Sequence, residues 1–225
     1  MLSQMPPYRP MPLHFVRRSP GEMLERARAH AELMQSRRTV RQFSSEPFPD
    51  EVLVDAIRAA ASAPSGAHQQ PWTFVVVTDS GLKRQIREAA EVEEQKNWNE
   101  RMSAEWIEAL DPLGLDWHKP HLTDAPALVV VFSQPWGVAL DGQRIKHYYV
   151  EESVGIAVGI LLATLQVAGL ATLTHTPSPM TFLRELLERP SNERAFLVIP
   201  VGYPALDATV PSLQRKALEE VLVRR

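Results

Sequence analysis

An apolar run, SVGIAVGILLATLQVAGL, occupies residues 153–170 and strongly limits the folds open to this chain. It carries no charged side chain and is almost long enough to span a membrane as a helix. Thr164 and Gln166 lie within it, however, and Glu151 and Glu152 directly precede it. These polar residues favour a helix that is buried on most of its sides, within the protein or at a dimer interface, over a membrane span.

Segments rich in β-branched and aromatic residues are predicted to be strands, at 72–79, 126–134, 169–177 and 195–204. Further helices are predicted at 18–35, 49–63, 81–109 and 181–189. Ser19, Pro20 and Glu22 form a typical helix start. Because long helices separate the strands, we expect a central sheet covered by helices. Residues 1–225 are predicted to form one α/β-type domain with irregular terminal arms.

The composition excludes several classes of function. A net charge of −3 provides no overall basic field for nucleic acid. The absence of cysteine excludes disulfides, zinc–thiolate sites and cysteine nucleophiles, and it agrees with a cytoplasmic location. The histidines at 118, 121, 147 and 175 lack metal-ligand spacing, and no GxSxG or Walker motif occurs. We therefore expect no bound metal and no nucleic-acid partner.

A basic cluster, SRRTVR, is the first candidate binding element. It places Arg37, Arg38, Thr39 and Arg41 within five positions. Guanidinium groups bind phosphate oxygens in pairs, and a neighbouring hydroxyl can complete the site. The alternative interpretation is a solvated basic corner after a helix.

The loop SAPSGAHQQPW, residues 62–72, is the second candidate. Pro64 fixes its φ angle, Gly66 allows unusual backbone angles, and Ser65 and Ala67 are small. Such residues let backbone groups approach a planar ring system. A simple helix stop followed by a strand entry would also account for them.

Two further segments combine polar and aromatic side chains. Thr174, His175 and Thr176 come at the end of a predicted strand, where hydroxyl groups can contact a redox ring, although threonine also simply favours strands. Glu94 and Trp98 share one face of a predicted helix, suited to an ammonium group and an aromatic ring. That face is equally typical of a helix half-covered by a loop.

In this order, RRTVRQF, APSGAHQQPWTFVVV, THTP, VGYP and VPSLQRK resemble the flavin-dependent nitroreductase superfamily, and most closely its iodotyrosine deiodinase family. The similarity extends from about residue 15 to 222 and includes E-x-x-x-W with a later WHK. The resemblance implies an α+β fold with a mostly antiparallel or mixed central sheet flanked by helices. It also implies an intertwined homodimer that binds FMN at its interface.

The resemblance assigns cofactor and substrate roles by position. Arg37, Arg38, Thr39 and Arg41 would hold the phosphate and ribityl end of FMN, and Arg215 would reach it from the C-terminal tail. Pro64 and Ser65 would contact the flavin, Thr174, His175 and Thr176 would lie beside its ring, and Thr176 would donate to N5. For the substrate, Glu94 would bind the ammonium group, Lys119 the carboxylate and the Ala67 amide the phenolate oxygen.

Two positions depart from the family pattern. Trp98 stands where the family has a tyrosine, so an aromatic wall is kept and a hydroxyl is lost. His175 occupies the middle of a threonine triplet, where its effect on the flavin is open. The animal members carry a membrane anchor, which is not visible in this sequence.

The implied activity is FMN-dependent reductive dehalogenation of halotyrosines by one-electron flavin chemistry, which the Thr176 contact would favour. NAD(P)H or a partner reductase would supply the electrons. One alternative is a broad-specificity NAD(P)H-dependent nitroreductase or quinone reductase, for which Glu94 and Lys119 would be incidental. Another is a flavin-binding protein without catalytic activity.

Overall fold

An antiparallel sheet forms the centre of the protein, whose computed structural model describes residues 8–139 and 141–225. The strands are Trp72–Val77 (β1), Ala127–Ser133 (β2), Trp136–Val138 (β3), Arg144–Lys146 (β4), Ala171–Thr172 (β5) and Arg194–Gly202 (β6). The sheet has the order β1-β2-β6-β5, and every neighbouring pair is antiparallel. This is the α+β arrangement that the resemblance implies.

Helices cover both faces of this sheet. They are Pro20–Ser36 (α1), Asp50–Ala60 (α2), Ser80–Lys96 (α3), Ala104–Leu110 (α4), His121–Asp124 (α5), Val150–Val167 (α6), Thr181–Leu186 (α7) and Leu218–Val221 (α8). The α1 helix begins as predicted, because the Ser19 hydroxyl accepts from the Glu22 amide and the Glu22 carboxylate accepts from the Ser19 amide at 3.0 Å.

The strand β2 shows why the core has two layers. All seven of its residues are buried. Val129 and Val131 pack with α2 and α6 on one side, whereas Leu128, Val130 and Phe132 pack with α3 and α7 on the other. Since side chains alternate along a strand, a strand covered on both faces is apolar at nearly every position, and in β2 only Ser133 is polar.

The apolar helix α6 is buried on one face only within the single chain. Val154, Ala157, Leu161 and Leu165 face the core, whereas Ile156 is 47% exposed. By length and composition, α6 could also span a membrane, but a core helix of this kind passes the same test. Its contacts with α2 and β2 identify it as a core helix.

Two predicted elements differ in the structure, and one element was not predicted. The helix predicted over 81–109 is broken, because α3 gives way to a π-helical turn at Asn97–Arg101 and Ser103 then caps α4. The strand predicted over 169–177 is regular only at β5, although the His175 backbone still pairs with Val198. The hairpin of β3 and β4 was not predicted, although Asp141 and Gly142 are a typical hairpin-turn pair.

Candidate active site

A continuous trough runs between the basic cluster and the end of β5. It consists of three adjoining cavities of about 370, 390 and 370 Å³, and Arg41 lines all three. Thr39 and Leu113 line two of them, as does Gly114. The trough is therefore long enough to hold an extended ligand with chemically different ends.

One end of the trough is strongly basic. Arg37, Arg38, Arg41 and Arg215 line it together with Thr39, and none of its lining residues is acidic. Arg215 is held in place by donating to the backbone oxygens of Gln35 at 2.8 Å and Arg37 at 2.6 Å. Burial lowers the pKa of Arg41 from its usual value. Four guanidinium groups without a carboxylate suit an anion such as a phosphate.

The opposite end of the trough carries the Thr-His-Thr segment. Thr174 and Thr176 are exposed in the cavity, and neither hydroxyl has a hydrogen-bond partner among the described residues. His175, between them, lines the same cavity and meets His121 edge to face, with ring centroids 5.1 Å apart.

The two histidines are neutral. Burial first, and then the charges of Lys119 and Arg41, lower the pKa of His175 to about 3. Burial, followed by His175 and nearby cations, lowers the pKa of His121 to about 2. The Nε2 atom of each ring is buried without a hydrogen-bond partner among the described residues. The floor of the cavity is therefore uncharged, although cations surround it.

Residues 91–119, here called the lid segment, form one wall of the cavity. Glu94 and Lys119 meet there in an ion pair, with Nζ and Oε2 3.1 Å apart and both side chains largely buried. The Lys119 amide donates to Glu91 at 2.7 Å, and its Nζ also donates to the Asp116 backbone oxygen. The structure thus joins the two residues predicted to bind a zwitterion.

Trp98 does not line this cavity. It lies half-buried in the π-helical turn that follows α3. That turn has more residues per turn than an α-helix, so the four-residue spacing that places Glu94 and Trp98 on one face of an α-helix no longer holds.

The loop at 64–67 also lies outside the residues that line the trough. Ala67 is exposed and has a left-handed conformation, with φ of 49°. Gly66 is required beside it, because a Cβ atom there would lie 2.6 Å from the Tyr148 backbone oxygen. Within one chain, Pro64, Ser65 and Ala67 are therefore separate from the arginines and threonines.

Comparison with known proteins assigns the family. Residues 34–203 match the model of the nitroreductase family. The iodotyrosine deiodinase of Haliscomenobacter hydrossis is 56% identical over 204 residues, which cover 91% of this chain and 92% of that protein. This chain belongs to the nitroreductase family, on its iodotyrosine deiodinase branch.

Two further relatives lie on the same branch. Human iodotyrosine deiodinase 1 is 48% identical over 205 residues, covering 90% of this chain and 70% of the human protein. A crystal structure of oxidised iodotyrosine deiodinase bound to FMN and 3-iodo-L-tyrosine superimposes with a TM-score of 0.75 at 35% identity, covering 87% of this chain and 97% of that one. The predicted family and nitroreductase-like fold are therefore confirmed.

Several residues that line the trough were not predicted as site residues from the sequence. His121 was considered only for metal spacing, whereas it forms the cavity floor with His175. Asp116 and His118 line the same cavity, and Gln42 lines the central one. The dense WHKPH stretch was a usable signal for His118 and His121, but nothing local indicated Gln42.

Proposed function

We propose that this protein is an FMN-dependent enzyme that removes halide reductively from halotyrosines. The observation that carries the proposal is the trough itself, which has four arginines at one end and the Glu94–Lys119 pair at the other. The two ends offer an anion site and a zwitterion site along one trough of adjoining cavities. The deiodinase relatives of this protein are similar to it over about 90% of its chain.

The residues present fit FMN. Arg37, Arg38, Arg41 and Arg215, with Thr39, bind the phosphate and ribityl end, because only cationic and neutral donors line that cavity. Thr174 and Thr176 present hydroxyl groups to the ring, and His175 supports them from below as a neutral group. When bound, FMN supplies the two electrons that, with one proton, replace the carbon–halogen bond by carbon–hydrogen and release halide.

The Glu94–Lys119 ion pair selects for zwitterions. Neither charge can lose its partner inside the largely buried wall without a large free-energy cost. An amino-acid ligand supplies an ammonium group to Glu94 and a carboxylate to Lys119 at the same time, so both charges stay paired. A simple halophenol has neither an ammonium group nor a carboxylate, so it cannot give Glu94 and Lys119 new partners.

The Ala67 amide recognises the phenolate oxygen. Among the described residues its N–H donates to no acceptor, whereas the N–H groups of His68, Gln69 and Gln70 all donate within the loop. An exposed, unused amide is a suitable donor for an anionic oxygen.

A second copy of the chain completes the site. The loop at 64–67 lies apart from the trough, while α6 exposes Ile156 and the terminal arms expose Phe15 and Leu218. An intertwined homodimer covers these apolar surfaces and brings each loop to its partner's trough.

NAD(P)H or a partner reductase reduces the enzyme, in the cytoplasm.

Ligand titration tests the substrate site. We expect monoiodotyrosine and diiodotyrosine to quench the fluorescence of the FMN-loaded protein and the reduced protein to release iodide. Lys119→Gln and Glu94→Gln should each weaken binding about 10- to 100-fold, the value of charge-assisted hydrogen bonds. Lys96→Gln is the matched control, because Lys96 forms an exposed pair with Glu93 away from the cavity. An FMN-loaded protein that binds no halotyrosine would contradict the proposal.

A charge on α6 tests the homodimer. Ile156→Glu is expected to produce monomers that retain little FMN, because the exposed face of α6 lies in the proposed interface. Val138→Glu, at a comparably exposed apolar position on the hairpin, should leave the dimer intact. Sedimentation and FMN content measure both effects. Monomeric wild-type protein with a full FMN complement would refute the shared site.

One observation favours a second function. Glu94 and Lys119 already satisfy each other, as an incidental structural pair would. A broad NAD(P)H-dependent nitroreductase or quinone reductase needs no zwitterion site. Rapid turnover of nitroarenes with NAD(P)H, without halotyrosine binding, would favour this activity over dehalogenation.

A further inference from the structure

The loop that carries Ala67 holds an unusual backbone conformation. Ala67, His68 and Gln70 all have positive φ angles, of 49°, 54° and 48°. Residues other than glycine disfavour positive φ angles, so contacts with neighbouring residues must hold the loop in this conformation. Gln69, between these residues, has ordinary right-handed angles.

Gln69 ties the loop to the segment between β4 and α6. Its Nε2 donates to the Lys146 backbone oxygen at 3.0 Å, and its Oε1 accepts from the Tyr148 amide at 2.8 Å. One side-chain amide thus satisfies a backbone carbonyl and a backbone N–H of the same segment. This two-bond arrangement, here called the Gln69 clamp, fixes the loop against residues almost eighty positions away.

The segment that the clamp grips is itself firmly held. Lys146 pairs with Trp136 in the hairpin of β3 and β4, and the Arg144 guanidinium lies 3.8 Å from the Trp136 ring centroid. The Trp136 backbone oxygen accepts from Asn192 at 3.0 Å. The hairpin is therefore a fixed support, from which Gln69 holds the loop.

We propose that Gln69 is a positioning residue for phenolate recognition, which it orients through the Ala67 amide. The inference rests on the proposed function, in which that amide meets the phenolate oxygen. The clamp holds the loop in the conformation in which the Ala67 N–H has no acceptor among the described residues, while the neighbouring amides donate within the loop. Without the clamp, the loop relaxes towards ordinary φ angles and the N–H leaves its binding orientation.

The experiment compares Gln69→Ala with Gln70→Ala in the FMN-loaded protein. The Gln70 side chain is the matched control, because its Nε2 contacts only the His68 ring, at 3.2 Å, among the described residues. We expect Gln69→Ala to weaken diiodotyrosine binding about tenfold and Gln70→Ala to leave it within about twofold. Iodophenylalanine, which has the zwitterion and lacks the phenolic oxygen, should bind both variants equally well.

A spectroscopic measurement separates positioning from general damage to the structure. Below the pKa of the free ligand's phenol, the wild type should bind diiodotyrosine as the phenolate, detected by its absorbance, and Gln69→Ala should bind a smaller phenolate fraction. Gln69→Glu has nearly the same shape and retains the acceptor for the Tyr148 amide, so it should show an intermediate loss. It also supplies the test if Gln69→Ala fails to bind FMN.

The outcomes distinguish the two proposals. Unchanged affinity and phenolate fraction in both Gln69 variants, with a wild type that binds diiodotyrosine, would overturn the role of Gln69 and leave the proposed function standing. Equal weakening of diiodotyrosine and iodophenylalanine would also overturn it. A wild type that binds FMN but neither ligand would refute the proposed function and this inference with it.

Discussion

The centre of the sheet and the lid segment are built on opposite principles. Every residue of β2 is buried, and six of the seven are apolar. In the lid segment, from Glu91 to Lys119, Lys119 alone is buried. The sheet is stabilised by excluding water from apolar surface, whereas the lid segment relies on ion pairs and caps. Stability and the proposed ligand selection therefore fall to different parts of the chain.

The Glu94–Lys119 pair is where these principles meet. It contains the one buried residue of the lid segment, Lys119, and its two charges satisfy each other. The variants below test whether the free energy of unfolding depends mainly on the sheet.

Truncating a buried side chain of the central sheet should have the largest effect on stability. Leu128→Ala is expected to lower the free energy of unfolding by about 2–5 kcal/mol, because Leu128 is fully buried between β2 and the helices. Leu206→Ala, at a fully exposed leucine, should change it by less than about 0.5 kcal/mol. Urea denaturation measures both. Equal effects would contradict the division between buried and exposed regions.

Loss of the Arg189–Glu193 ion pair, beside the start of β6, should have the next largest effect on the free energy of unfolding. Burial raises the pKa of Glu193, but hydrogen bonds from Arg189, Thr73 and Gln134 together outweigh it, so the pKa lies below its usual value. Glu193→Gln should lower the free energy of unfolding by about 2 kcal/mol at neutral pH. Glu185→Gln, at an exposed position on α7, is the control.

The pH dependence of this variant follows from the sign of the shift. A carboxylate with a lowered pKa stabilises the folded state above about pH 4.5, its ordinary value, and this contribution is lost as the pH falls through the folded-state pKa. The difference between wild type and Glu193→Gln should therefore shrink in acid. A difference that grows in acid would contradict the assignment.

The buried histidines should make the protein sensitive to acid. Both pKa values lie below the ordinary 6.5, so below that pH the unfolded chain takes up protons that the folded chain does not. Each ring then contributes a loss of about 1.4 kcal/mol per pH unit down to its folded-state pKa. His175→Thr should flatten the slope by about that amount, and the exposed His30→Asn should not. An unchanged slope in His175→Thr would show that His175 can be protonated in the folded protein.

Removing an aromatic side chain from the lid segment should have the smallest effect. Trp106 is 56% exposed on α4, so Trp106→Ala is expected to change the free energy of unfolding by less than about 0.5 kcal/mol. Trp72→Ala, at the buried tryptophan of β1, should cost about 3–5 kcal/mol. A large loss in Trp106→Ala would mean that the lid segment shares in global stability.

Much of the fold could be predicted, and the errors have local causes. The capping box at Ser19, the strands β1, β2 and β6 and the apolar helix α6 follow from hydrophobic patterns and caps. The break between α3 and α4, at Met102, was not predicted because the sequence on either side of it also favours a continuous helix. The interruption after β5 was missed because threonine favours strands whether or not they pair regularly.

The candidate site was predicted in its composition more than in its arrangement. The arginines and the threonines share one trough, as the motif order indicated. In the single chain, Trp98 and the loop at 64–67 do not line the trough. The π-helical turn changes the position of Trp98 relative to Glu94, and the loop lies in another part of the fold. Their proposed roles remain predictions.

Caps, periodicity and motif order are local properties of the chain, and they were enough to predict the family, the order of the elements and the residue types available for chemistry. Which of those residues meet became evident from the three-dimensional packing. Glu94 pairs with Lys119, His175 packs on His121, and Gln69 grips the backbone of Lys146 and Tyr148. Each of these contacts joins residues at least 25 positions apart in the chain, and the tertiary packing brings them together.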